Sequence, residues 1–90
     1  MKFTFRELLD SILKAEMERE QTVELLDRIY RTGTIMPGLY LRKDDSSDDL
    51  ECWYRNVDES GQTDHGPTNY TPDEIVGVYE ESLRRMAGKN

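Results

Sequence analysis

Apolar residues recur at Phe5, Leu8, Leu9, Ile12 and Leu13, the three-and-four spacing that paints one face of an α-helix. The same face resumes at Val23, Leu26, Ile29 and Tyr30, across a mostly polar interval at 14–22. Thr4 and Glu7 form a capping-box pair at the start, with Phe3 and Leu8 spaced as a hydrophobic staple. No Gly or Pro interrupts residues 3–32. A straight helix over 4–32 would be about 42 Å long at 1.5 Å per residue. A compact chain of this length is only about 30 Å across. The pattern therefore predicts two helices or one bent helix, with Thr22 as a candidate cap for the second part.

Gly33 stands where a left-handed helix cap is expected, and Met36-Pro37-Gly38-Leu39 fits a type II turn. Alternation then replaces helical spacing. Residues 39–42 read as one strand, and Leu50–Val57 as its antiparallel partner, closed by the polar loop 44–49. On the second strand Leu50, Cys52 and Tyr54 share one face, and Glu51, Trp53, Arg55 and Val57 share the other. Ser60-Gly61 marks a second turn, and residues 62–65 a short third strand.

Thr71-Pro72-Asp73-Glu74 is a second capping box, with Pro at its preferred first helical position. Ile75, Val76, Tyr79, Leu83 and Met86 follow as a core-facing stripe, and Arg84, Arg85 and Lys89 complement the C-terminal dipole. The predicted fold class is α+β, one domain over 1–90. It has a helical region at 4–32, a small antiparallel sheet of two or three strands within 38–66, and a C-terminal helix at 72–87 packed on the sheet.

Charge changes this picture because it is polarised. Residues 44–83 hold twelve carboxylates against one basic residue, Arg55, a net of −11 within a chain of net charge −7. Asp73 and Glu74 suit a helix start, and Glu80 and Glu81 an exposed helical face. Eight remain on the hairpins: Asp44, Asp45, Asp48, Asp49, Glu51, Asp58, Glu59 and Asp64. A field of this sign attracts cationic surfaces and repels nucleic acid and anionic membranes. No run approaches the ~20 apolar residues of a membrane span. The single cysteine and the lack of an apolar signal core at the N-terminus lead to an expectation of the reducing cytoplasm.

Enzyme chemistry has little to stand on. Counted from Asp44, a calcium loop would need Gly at its sixth position and Glu at its twelfth, where the chain has Asp49 and Arg55. Cys52 and His65 are the sole thiol–imidazole combination, and Cys52 sits at a core-facing position of its strand. No phosphate loop or metal-ligand spacing occurs, so no catalytic residue, cofactor or metal is assigned.

The expected function is a non-catalytic, acidic protein-binding module. Its carboxylates, with Trp53 as an aromatic anchor, would engage a basic partner such as a nuclease and occlude the groove that holds nucleic acid. Small acidic chains of phages and mobile elements act in this way against restriction and CRISPR systems, an analogy of composition and not of motif. The expected contact set is Asp44, Asp45, Asp48, Asp49, Glu51, Trp53, Asp58, Glu59 and Asp64. The alternative is a self-associating accessory protein that uses helical residues 5–30 as a homodimer interface, with the acids serving solubility.

Overall fold

The computed structural model describes residues 1–88 and has the order β1 (Lys2–Phe3), α1 (Phe5–Lys14), α2 (Arg19–Thr32), β2 (Thr34–Met36), β3 (Leu39–Lys43), β4 (Leu50–Val57), β5 (Thr63–Pro67) and α3 (Pro72–Ala87). Lys89 lies outside the described residues. The class is α+β, as the patterns predict. The sheet, however, has five antiparallel strands instead of two or three.

The two helices of the N-terminal region are separate. The break falls at residues 15–18, where Glu16 takes a left-handed conformation (φ 53°), and not at Thr22. Thr22 is already inside α2 and donates its amide to the Glu18 carbonyl. Because the chain turns earlier than the polar interval implies, the helical phase is reset. Leu25 becomes the buried residue of α2 together with Ile29, while Val23 and Tyr30 are turned to solvent. Likewise Leu8 and Ile12 are buried on α1, whereas Phe5 and Leu13 are exposed. On α3 the buried stripe is Ile75, Val76 and Tyr79, with Leu83 packed beside it, and Met86 lies past the core in the last turn.

The caps form as read. Thr4 and Thr71 each accept the amide of a Glu three residues on, Glu7 and Glu74, whose carboxylates accept the cap amides in return. Gly33 closes α2 at φ 74°, donating to the Ile29 carbonyl.

Strand β4 organises the sheet. β3 lies along one edge of it, pairing Leu39–Lys43 with Tyr54–Leu50. β1 and β5 share the opposite edge end to end, β1 against Leu50 and Glu51 and β5 against residues 53–57. β2 adds outside β3 with a register irregularity. Its Ile35 carbonyl accepts a 2.8 Å bond from Arg28 Nη1, which satisfies a backbone group on an edge strand.

All three helices pack on one side. Phe3, Ile35, Leu39 and Cys52 of the sheet join Leu8, Ile12, Leu25, Ile29, Ile75, Val76 and Tyr79 in one buried cluster. Each fully buried aliphatic side chain contributes about 1.5–3 kcal/mol over its exposed state. Gly66 makes room on this side for the Tyr54 ring, since a Cβ there would sit 3.4 Å from it. No helix among those described is long and apolar enough to cross a membrane.

Candidate functional site

The eight hairpin carboxylates do not form one patch. Asp44, Asp45, Asp48 and Asp49 lie in the β3–β4 connection, while Asp58 and Glu59 lie in the β4–β5 connection with Asp64 just beyond it. The two connections are at opposite ends of β4, whose eight residues span about 26 Å at the usual strand rise. The acidic block of the sequence is thus two tips.

Several of these acids are already engaged within the chain. Asp44 accepts from Lys2 Nζ at 2.9 Å, from the Ser46 amide and from the hydroxyls of Ser46 and Ser47. The Lys2 bond, then the Ser46 amide, pull its carboxyl down to about 2, against a smaller opposing effect of burial. Lys2 is raised in turn, mainly by the same bond. Asp58 plays the matching part in its own loop, accepting from the Ser60 hydroxyl and amide and the Gln62 amide, which lower its pKa. Asp48 faces Lys43 at 3.4 Å. Among the described residues, the side chains of Asp45, Asp49, Glu59 and Asp64 make no hydrogen bond or ion pair, and Asp48, fully exposed, has only its Lys43 contact, so these are the acids available outward.

Between the tips lies the sheet face that no described helix covers. Trp53 is at its centre. The β3–β4 register puts Tyr40 directly across from it and Arg42 two positions further on the same face, across from Glu51; the β4–β5 register puts Pro67 across and His65 opposite Arg55. The Arg42 guanidinium sits 4.3 Å from the indole centroid, and the His65 ring stacks on the indole at 6.0 Å with 28° between planes. The indole N–H donates to Glu51 Oε1 at 3.0 Å. Glu51 also lies 3.7 Å from the N-terminal ammonium. This acid of the expected contact set therefore serves to fix the anchor beside it. Trp53 is held on both flanks and at its edge.

Cys52 and His65 are not brought together. Cys52 points into the core, where burial raises its thiol pKa, while His65 is on the opposite face. Among the described residues no three His, Cys, Asp or Glu side chains are grouped to hold a metal ion.

Sequence reasoning placed Arg55 on the Trp53 face without making it a site residue, and did not place Arg42 and His65 there. Arg55 was legible from its period-two relation to Trp53. Arg42 and His65 required the strand registers. Comparison with protein-family models, curated proteins and solved structures finds no match to this chain, so a functional reading rests on this face alone.

Proposed function

We propose that the chain is a non-catalytic, cytoplasmic protein-binding module that inhibits a basic nucleic-acid-binding partner by occluding its groove, as anti-restriction and anti-CRISPR proteins of phages and mobile elements do. The observation that carries this reading is the pair of acidic hairpin tips flanking an uncovered, aromatic-centred sheet face. Trp53 supplies a half-buried anchor whose orientation is fixed before binding, which lowers the entropic cost of association. The tips supply charge that steers a cationic surface and competes for Lys and Arg side chains otherwise held by phosphate.

The test is capture of a partner from cell extract and elution in a salt gradient. Asp44 is left intact because it holds the Lys2 contact and the turn at Ser46 and Ser47. The variant carrying Asp45→Asn, Asp48→Asn and Asp49→Asn is expected to release the partner at lower salt than the wild type. Unchanged elution contradicts the reading.

Self-association is the second reading, supported by the apolar residues that α1 and α2 leave outside: Phe5, Leu13, Val23 at 57% exposure and Tyr30 at 90%. Light scattering distinguishes the two. A monomer at working concentration removes the helical interface, and a dimer abolished by Val23→Glu with Tyr30→Glu assigns it.

A further inference from the structure

Arg55 is the one basic residue of the acidic stretch, yet its guanidinium makes no hydrogen bond or ion pair among the described residues. It lines a broad open depression of about 670 Å³ on the uncovered sheet face, together with Tyr40, His65, Thr34 and Thr63. The β4–β5 register sets His65 directly across from Arg55. The Pro37-Gly38 turn forms the adjoining wall. Gly38 (φ 86°) accepts the Arg55 amide at 3.0 Å, and a Cβ at Gly38 would come within 3.2 Å of the Arg55 carbonyl. A planar guanidinium, an imidazole, a phenol and three threonine hydroxyls, with Met36 and Leu39 beside them, therefore line one recess without a carboxylate among them. These are groups that donate hydrogen bonds, and a guanidinium matches an oxyanion in a two-pronged fashion.

We infer that Arg55, His65 and Tyr40 form a subsite for a carboxylate side chain presented by the protein partner. This rests on the occlusion reading and narrows its partner. Along β4 the chain presents negative, positive and negative in turn: the 44–49 tip, a centre where Arg42 and Arg55 stand against Glu51, itself taken up by the indole N–H and the N-terminal ammonium, and the 58–64 tip. The complement is a basic groove with an acidic centre, the layout of metal-dependent nucleases, whose carboxylates hold divalent cations at the floor of a groove that grips phosphates. A phosphodiester strand is the wrong occupant. To reach Arg55 along the face it would lie against both acidic tips, whereas a carboxylate set between basic rims meets attraction at all three places.

The chain has one tryptophan, and it is in contact with His65, so its emission reports on this recess. The experiment titrates the full chain, without any partner, with a blocked tri-glutamate peptide, a blocked tri-glutamine peptide and inorganic phosphate at constant ionic strength. A saturable change with tri-glutamate, absent with tri-glutamine and phosphate, is expected. Arg55→Gln should weaken its midpoint about tenfold, as loss of a charged hydrogen bond does. Arg84→Gln, remote on α3, should leave it unchanged, with far-ultraviolet circular dichroism confirming both folds. Absence of a tri-glutamate response, retention of the response in Arg55→Gln, or a response to phosphate alone each overturns the subsite. Because no partner is present, such a failure leaves the salt-dependent capture standing, and the two proposals fail separately.

Discussion

The two faces of the sheet are built from alternate residues of the same strands, and they are used in opposite ways. Toward the helices, Ile35, Leu39 and Cys52 are sealed in a core with no buried polar or charged residue among those described. Away from them, Tyr40, Arg42, Trp53, Arg55 and His65 face no covering element. A chain of 90 residues has little apolar surface to spare, and burial of Trp is among the largest single gains open to it. Here Trp53 is left half-exposed and is held by an arginine, a histidine and a glutamate. The helical side accounts for stability, and the open side is free to serve recognition.

The strongest way to break this comparison is to truncate each side in turn. Ile35→Ala, at a completely buried position, is expected to cost about 2–5 kcal/mol in urea unfolding, a large share of the 5–15 kcal/mol typical of such domains. A cost below about 1 kcal/mol would deny the inner face its role. Next in size is Gly38→Ala, which forces a side chain into a left-handed turn against the Arg55 carbonyl. It should cost about 1–3 kcal/mol and shift the amide resonances of residues 38 and 55 together. Trp53→Ala should cost less than Ile35→Ala, about 1–2 kcal/mol, because it removes partial burial and three part-exposed contacts, to Arg42, His65 and Glu51. The same change should abolish partner capture. A Trp53→Ala protein that is badly destabilised, or that still binds fully, would make the open face an ordinary part of the scaffold.

The smallest effect is expected at the 44–49 tip. Asp44 has its pKa lowered to about 2, so the stability it contributes is fully present above the ordinary carboxylate range near 4 and is lost as the pH falls through about 2. Carbon-detected NMR titration of Asp44 should show a midpoint near 2 in the wild type and a higher one in Lys2→Met. An unshifted midpoint in the wild type would mean that the tip is not held as described.

Much of the fold was legible because helix signals are local. The capping boxes at Thr4 and Thr71 and the turn at Pro37-Gly38 each depend on a few adjacent residues. Strands β1 and β2 were not legible, since two and three residues are too few to show a period. They are strands because β4 and β3 offer them an edge. The phase error at Leu25 has a similar cause: a left-handed Glu16 carries no sequence mark as a left-handed glycine does. At the candidate site the acids were evident from composition, and their separation into two tips was implied by the strand read over Leu50–Val57 between them. That depends on β4 running uninterrupted between them. The cage of Arg42 and His65 around Trp53 comes from residues eleven and twelve positions away, joined only by register.

Occlusion is tested most directly by displacement. A fluorescently labelled duplex is bound to the salt-eluted partner, its anisotropy is followed as the wild-type chain is added, and the Asp45→Asn, Asp48→Asn, Asp49→Asn variant is run beside it. The expected result is release of the duplex to its free anisotropy, at a higher midpoint concentration for the variant. A further rise in anisotropy, with chain and duplex held on the partner together, would contradict the account.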